Sequence, residues 1–427
     1  MSKTFNIVFD SWENANTPFE KYNINLDYLN KKIVYDAVSY PWILSDLNIN
    51  WKIKNCKLSD VNKEDNYYYI IQHIYSYSYF IKNQTIDLPE EVKYQITNNN
   101  LKVMFVSPHE SPEHLETFIE ILNTTIKTNN WNESQFYIIN NNSLIYNIKE
   151  KFNSNINFYK INTLLRLVSN DIKIKPTEAD IIFNKKFLFL CLNRQPHFHR
   201  VSLLSHLKNL KLLENDIIDW SLVVDYTTYT RNKKDIQSVR HLKGYIDPGN
   251  KSLVKDYLEI IKNKKLSNYE QNVKWFDNIQ DYLQIEHLTL DSYKNSYINI
   301  LTESHYNATH TTTNDIHISE KTFKPFYYFQ IPIFLASYNH VKMIRKEYDF
   351  YLFDDLIDHS YDSEVDDIKR FHMVVAEIKR LSTMKEKISI YYKTNIDKII
   401  HNHNFVKTYP ERKIEENYFL NLINENK

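Results

Sequence analysis

Two stretches of the chain place charged side chains where a helix is predicted to begin. Arg200 follows the apolar run 187–192, which has the character of a buried strand. Ser319, Glu320 and Lys321 open an aromatic stretch that leads to a second apolar strand. A helix N-terminus carries about half a positive charge, and an arginine guanidinium matches phosphate oxygens in a bidentate way. Both helix starts are therefore candidates for binding a diphosphate.

Each of these assignments has a structural alternative. In a nucleotide site, Glu320 can accept hydrogen bonds from ribose hydroxyls while Lys321 reaches a phosphate. Arg200 can equally be a surface arginine on a helix. Ser319 is a good N-cap, and a carboxylate in the first turn stabilises any helix by about 0.3–1 kcal/mol. The residue types alone leave both interpretations open.

A third candidate lies in the loop after the predicted strand 101–106. This loop reads Ser-Pro-His-Glu-Ser-Pro-Glu-His and contains Glu110. Ligands of parallel α/β sheets sit beyond the carboxyl ends of the strands, so Glu110 is a candidate catalytic carboxylate.

Other polar clusters have simpler interpretations. His197 and His199 lie two residues apart with no recognisable third metal ligand, so we interpret them as solvated loop histidines. The acidic run 354–367 is interpreted as a surface segment, and the sequence predicts no metal site.

The order of predicted elements indicates the fold. From residue 101, strands alternate with helices of about 10–15 residues, which is typical of a parallel α/β sheet. A second such unit begins at the apolar run 187–192, the kind of strand that is buried on both faces. We therefore predict an α/β domain at 1–175, a Rossmann-like domain at 176–385, and C-terminal helices at 386–427 that pack back on the first domain.

Composition limits the class of protein. A chain of 427 residues exceeds what one core usually supports. Lys plus Arg equals Asp plus Glu at 53 each, which argues against nucleic acid as a partner. Cys56 and Cys191 form no paired motif, and the sequence contains neither a signal peptide nor an apolar run of about 18 residues. We expect a cytoplasmic protein without a membrane anchor.

Glycine is scarce, and this excludes two kinds of phosphate site. Only Gly244 and Gly249 occur, so GxGxxG cannot exist, and GxxxxGK[ST] does not occur because Asn250 follows Gly249 where the motif needs lysine. Any phosphate binding must use side chains and ordinary helix N-termini.

Four short motifs together resemble the alpha-1,3-fucosyltransferase family. They are Glu110-Ser111-Pro112-Glu113-His114, then Asn193 with Arg200, then Glu303-Ser304, and finally Ser319-Glu320-Lys321 followed by Ile331-Pro332-Ile333. Their order and approximate spacing agree with the family across residues 101–340.

The resemblance implies a GT-B architecture, in which two Rossmann-like domains with parallel sheets face a central cleft. It also implies inverting, metal-independent transfer of a fucose-like sugar, without a cofactor, from a GDP-sugar to a glycan or other hydroxyl-bearing acceptor. Glu110 would be the general base, in an acceptor-binding first domain. The implied donor-binding residues are Asn193, Arg194, Arg200, Glu303, Ser319, Glu320 and Lys321; Arg200 and Lys321 would bind the diphosphate, and Glu320 the ribose.

Two departures from the family keep other functions open. The Tyr-Arg and Asp-Ser-Asp elements are absent after Glu110, and Tyr328-Phe329-Gln330 stands where a glycine usually precedes the proline. The block 357–362 also resembles segments of uncharacterised phage and large-virus proteins. The alternatives are a non-catalytic nucleotide- or glycan-binding module and a structural viral protein with a degenerate GT-B fold.

Overall fold

The computed structural model describes residues 4–8, 52–56, 58–72, 84–86, 88–99, 101–107, 115–140, 145–160, 176–193, 197–213, 217–223, 244–247, 249–262, 265–267, 291–303, 306, 316 and 318–408. The chain divides into two compact units. One comprises residues 1–164, 311–317 and 412–427, and the other comprises 165–310 and 318–411. Each unit contains a parallel sheet, so the predicted α/β class is confirmed.

The first unit is built on six parallel strands. These are β1 (Thr4–Val8), β2 (Lys52–Cys56), β3 (Tyr67–Gln72), β4 (Lys102–Ser107), β5 (Phe136–Asn140) and β6 (Asn157–Lys160). They pair in the order β2-β1-β3-β4-β5-β6. Helices α1 (Glu90–Asn99), α2 (Leu115–Thr128) and α3 (Ile145–Phe152) alternate with β3 to β6 along the chain.

Alternation along the strands separates the two faces of this sheet. On one face, Phe105 and Phe136 join a core with Phe118 and Leu122 of α2, whose apolar residues recur at helical spacing. On the other face, the ammonium of Lys102 lies over the rings of two tyrosines of β3 and β5, with 5.5 and 6.0 Å to the ring centres. Burial lowers the pKa of Lys102 to about 8.

The second unit has five strands among the described residues, and its longer helices follow them along the chain. The strands are β7 (Phe187–Asn193), β8 (Ile218–Val223), β9 (Lys265–Ser267), β10 (Ser296–Thr302) and β11 (Ile331–Leu335). The helices are α4 (Phe198–Asn209), α5 (Lys251–Lys262), α6 (Glu320–Tyr327), α7 (His340–Glu347), α8 (Asp367–Ser382), α9 (Lys385–Thr394) and α10 (Ile396–Thr408). No helix in the described ranges is long and apolar enough to cross a membrane.

The strand order of the second unit points to a ligand position. The sheet runs β11-β10-β7-β8-β9, and all pairs are parallel except β8 with β9. Numbered within the unit, this is the order 3-2-1-4-5 of a Rossmann sheet. The order reverses between β7 and β10, and such sheets bind ligands outside the carboxyl ends of the strands at that point. We call the ends of these two strands, at Asn193 and Thr302, the switch-point edge.

Helices α9 and α10 pack within the second unit. The Tyr392 hydroxyl donates to the main-chain oxygen of Phe329 at 2.8 Å, and His403 bonds that of Tyr327 at 2.6 Å. Residues 409–427 lie outside the described residues, and the packing of the C-terminal segment on the first domain stays a prediction.

Several helices end without glycine. Asn130, Asn153, Lys211 and Phe329 follow α2, α3, α4 and α6 with φ of 53°, 44°, 59° and 56°. Glycine usually occupies this left-handed conformation, because a Cβ atom there destabilises the backbone by roughly 1–2 kcal/mol. Phe329 offsets the cost by stacking its buried ring on His403, with ring centres 4.2 Å apart.

We expect Phe329→Gly to be more stable than Phe329→Ala by about 1 kcal/mol, because both lose the ring but only glycine relieves the backbone strain. Urea denaturation measures the difference. Phe326, which is buried inside α6, is the control position. There the Phe326→Ala variant should be more stable than Phe326→Gly by about 1 kcal/mol, because alanine favours a helix. The same sign at both positions would contradict the prediction.

A buried lysine lies just before β7. Lys185 is 5% exposed, its ammonium donates to the main-chain oxygen of Lys294 at 2.8 Å, and it lies 4.8 Å from the ring centre of Tyr392. Burial lowers its pKa from 10.5 to about 7. Between these two pH values the unfolded chain holds a proton that the folded chain lacks, so this group adds stability as the pH rises.

We compare the free energies of unfolding of the wild type and Lys185→Met. The wild-type value minus the variant value should increase by roughly 2–4 kcal/mol from pH 7 to pH 10, since one pKa unit corresponds to about 1.36 kcal/mol. Urea denaturation at the two pH values checks this. A difference that does not change with pH would show that Lys185 stays charged in the fold.

Candidate functional site

A hydrogen bond joins the two strands at the switch-point edge. The Thr302 hydroxyl at the end of β10 donates to Asn193 Oδ1 at the end of β7, at 2.6 Å. The Asn193 amide donates in turn to Cys191 Sγ at 3.3 Å. Burial raises the pKa of the Cys191 thiol to about 12, so this thiol stays protonated and is no nucleophile. Asn193 is therefore the last residue of β7, with its side chain turned to the neighbouring strand, and its donor-binding role stays a prediction.

The first turn of α4 lies across the same edge. The Arg200 guanidinium donates through Nη2 to the main-chain oxygen of Thr302 at 3.0 Å, and His199 donates through Nε2 to that of Glu303 at 2.9 Å. Both side chains are at most 3% exposed. This excludes the surface-arginine alternative for Arg200, and the interpretation of His199 as a solvated loop histidine was wrong. Helix α4 begins early enough to bury both residues.

His199 also takes part in ring stacking. Its ring stacks on those of His197 and Tyr306, with ring centres 5.6 and 5.1 Å away. The Tyr306 ring also lies 4.9 Å from the guanidinium of Arg370, which is 1% exposed. Arg370 donates to the main-chain oxygens of Tyr306 and Ala336 at 2.9 and 3.0 Å. This buried arginine fixes the chain that follows both β10 and β11.

Glu303 connects the end of β10 to the start of α6. Its side chain is 0% exposed. Oε1 accepts the Ser319 amide at 3.3 Å, the Ser319 hydroxyl at 2.8 Å and the Thr322 hydroxyl at 2.7 Å, and Oε2 lies 2.7 Å from the Ser319 hydroxyl. Ser319 is also the N-cap of α6, because its Oγ accepts the Lys321 amide at 3.2 Å.

The network continues to residues that the sequence did not single out. His340, at the start of α7, is 0% exposed and lies 3.1 Å from Thr322 Oγ1 through Nε2. The Thr322 hydroxyl has one proton and gives it to Glu303, so His340 is the donor in this contact. The only sequence signal for Thr322 was its position three residues after the N-cap Ser319, where capping-box residues stand.

The acidic run 354–367 is only partly a surface segment. Asp362 is 8% exposed, and its carboxylate accepts the amides of Val341 and Lys342 at 2.8 and 2.9 Å, which caps α7. Asp367, also 8% exposed, pairs with Arg370. The surface interpretation was wrong for these two residues: the partners of Asp362 lie about 20 residues earlier in the sequence, and Asp367 pairs with the buried Arg370 of its own helix.

The structure describes only some of the remaining predicted site residues. Glu320 begins α6, and Lys321 is half-buried with its ammonium 3.4 Å from Ser319 Oγ. Glu110 and Arg194 lie outside the described residues, so their roles stay predictions. Among the described residues, no three His, Cys, Asp or Glu side chains are grouped as a metal site requires.

Two helix N-termini thus meet at one edge of the sheet. The starts of α4 and α6 are joined through Thr302 and Glu303, and they bring the cationic side chains of Arg200 and Lys321 near the end of β10. Each N-terminus adds a partial positive charge. This edge can attract an anionic group by helix dipoles and side-chain charge, without glycine.

No family model matches this chain, and no curated protein is similar to it at a significant level. Three solved structures are similar in fold. One is a trehalose-6-phosphate synthase, described as an enzyme of glycosyltransfer with retention, at 11% identity and a TM-score of 0.39, covering 84% of this chain and 74% of that one. A UDP-forming alpha,alpha-trehalose-phosphate synthase from Burkholderia vietnamiensis has 8% identity and a TM-score of 0.40, covering 86% and 74%. The corresponding synthase from Burkholderia multivorans has 8% identity and a TM-score of 0.38, covering 87% and 74%.

Proposed function

We propose that this protein is a glycosyltransferase that takes a sugar from a nucleoside-diphosphate donor. One observation carries the proposal: Arg200 and Lys321 stand at two helix N-termini joined at the switch-point edge of a Rossmann-type sheet. The leaving diphosphate of a sugar nucleotide develops negative charge, and fixed donors and dipoles stabilise such charge in the transition state. The diphosphate would bind at this edge, and Glu320 would bind the ribose.

The finer proposal follows the resemblance to fucosyltransferases. The donor is a GDP-sugar with a fucose-like sugar, and the acceptor is a glycan or another molecule with a free hydroxyl. Glu110 deprotonates that hydroxyl, which attacks the anomeric carbon directly and inverts its configuration, without a metal ion. Arg194 and Asn193 complete the set of donor-site residues.

Lys321→Ala should weaken binding of the preferred nucleoside diphosphate by about tenfold or more, because hydrogen bonds to charged groups contribute roughly 1.5–3 kcal/mol. Arg200→Lys should do the same, since lysine keeps the charge but loses the guanidinium fork. Thermal shift with GDP, UDP, ADP and CMP identifies the nucleotide, since a ligand that binds only the folded state raises its stability. Titration calorimetry then gives the affinities.

Lys342→Ala is the matched control. Lys342 is an exposed lysine in the first turn of α7, whose N-terminus Asp362 already caps. Its substitution should leave the affinity unchanged. Equal affinities for the wild type and Lys321→Ala would remove Lys321 from the site. If none of the nucleotides raised the melting temperature, a structural protein would be the better interpretation.

Glu110→Gln should lower turnover by about 10²–10⁴-fold, because a positioned general base contributes that much, while nucleoside-diphosphate affinity stays the same. Glu113→Gln, in the same motif, is the control and should keep its turnover. Product analysis by NMR in the presence of EDTA tests inversion and metal independence together. Full activity of Glu110→Gln would overturn the base assignment, and a product that retains the donor's anomeric configuration would overturn inversion.

A further inference from the structure

The carboxylate of Glu303 is enclosed by its own fold. The side chain is 0% exposed, and the amide and hydroxyl of Ser319 and the hydroxyl of Thr322 surround its two oxygens. A carboxylate that bound ribose or a sugar hydroxyl would need an oxygen facing the ligand. Glu303 instead directs both oxygens at the first turn of α6.

The hydrogen bonds of Glu303 also position Lys321, through the Ser319 hydroxyl. Because the Ser319 hydroxyl gives its proton to Glu303, its lone pairs are left for the Lys321 amide at 3.2 Å and the Lys321 ammonium at 3.4 Å. The carboxylate therefore fixes the hydroxyl, and the hydroxyl fixes both the amide and the side chain of Lys321.

The main chain of Glu303 is held as firmly as its side chain. Its amide donates to the Leu335 oxygen of β11 at 3.0 Å, and its own oxygen accepts from His199 of α4. On the far side, Thr322 connects the carboxylate to His340. One residue thus relates the starts of α4, α6 and α7 to the end of β10.

We propose that Glu303, acting through Ser319 and Thr322 with His340 behind them, is a positioning residue that holds the start of α6 and Lys321 in the geometry that binds the diphosphate. This inference rests on the proposed function. In this proposal Glu303 does not contact the donor. It holds in place the residues that do.

The negative charge of Glu303 contributes to this positioning role. An ionised carboxylate accepts from three donors at once and complements the positive end of α6. Glutamine has the same shape, but its amide group would face donors that need an acceptor, so the first turn should loosen even though packing is kept.

Two isosteric substitutions test the proposal. Glu303→Gln and Thr322→Val should weaken the binding of GDP, UDP or ADP, whichever binds the wild type, by at least about tenfold, as expected for bonds to a charged group. Thr322→Ser restores the hydroxyl and should bind within about twofold of the wild type. Hydrogen exchange without ligand should show faster exchange at the amides of 319–322 in the first two variants and wild-type exchange in Thr322→Ser.

Glu377→Gln controls for the general loss of a buried carboxylate. Glu377 is 6% exposed, accepts the Asp358 amide and pairs with Arg380, and none of these residues belongs to the proposed donor site. This variant should lose stability but keep its affinity and the exchange of 319–322. Equal affinity and exchange in wild type, Glu303→Gln and Thr322→Val would overturn the positioning role.

The two proposals fail in different ways. If the wild type bound no nucleoside diphosphate, the proposed function would fall. The exchange measurement needs no ligand: unchanged exchange at 319–322 in Glu303→Gln would overturn the coupling between Glu303 and α6, whatever the protein binds.

Discussion

The contact between the Glu303 carboxylate and the first turn of α6 is the interaction on which the candidate site depends. It joins Glu303, the residue after β10, to Ser319 and Thr322 at the start of α6, 16 and 19 residues later in the chain. Without it, the strand order would still bring β7 and β10 together, but the first turn of α6 would lose the hydrogen bonds that hold it to the end of β10. The sheet determines where the candidate site lies, and this contact determines how the first turn of α6 is oriented there.

Burying so many charged groups is costly unless each one is bonded. Arg200, Glu303 and Arg370 are each at most 3% exposed, and each has a hydrogen-bond partner on another element or segment of the chain. A buried ion pair often contributes little net stability compared with apolar packing, while removing one partner is strongly destabilising. We therefore interpret the polar network as a means of fixing geometry. It lies at the carboxyl ends of the strands, where a sheet of this kind binds ligands.

The sequence predicted the regular elements well where the pattern was strong. Strand β11 contains the Ile331-Pro332-Ile333 motif, where a second apolar strand was predicted, and β7 extends the apolar run 187–192 by one residue, because an unbroken apolar run is a local signal. Helix α4 begins at Phe198 and includes His199, which was interpreted as part of a polar loop. That misplacement is why His199 was taken for a solvated residue.

What the sequence could not predict are relations between distant segments. Nothing local shows that β10 pairs with β7, and this pairing alone brings Thr302 to Asn193. Thr322 and His340 are ordinary residues in the sequence, and they form part of the network only because α6 and α7 start beside each other. Burial of Arg200 likewise depends on the end of β10, about a hundred residues away in the chain. The candidate residues were chosen by type, but the contacts that distinguish the enclosed Glu303 carboxylate from the half-buried Lys321 required the fold.

The scarcity of glycine gives these observations a common cause. Where a chain has glycine, a tight loop can bring main-chain amides to a phosphate and a helix can end at no steric cost. This chain ends α6 with Phe329 at positive φ, held by α9 and α10. It begins the same helix with a serine held by a buried glutamate. Both ends of α6 are thus fixed by side-chain contacts that a glycine-rich loop would not need. We therefore expect the start of α6 to tolerate few substitutions at Glu303, Ser319 and Thr322, because their side-chain contacts fix a geometry that main-chain amides fix in a glycine-rich loop.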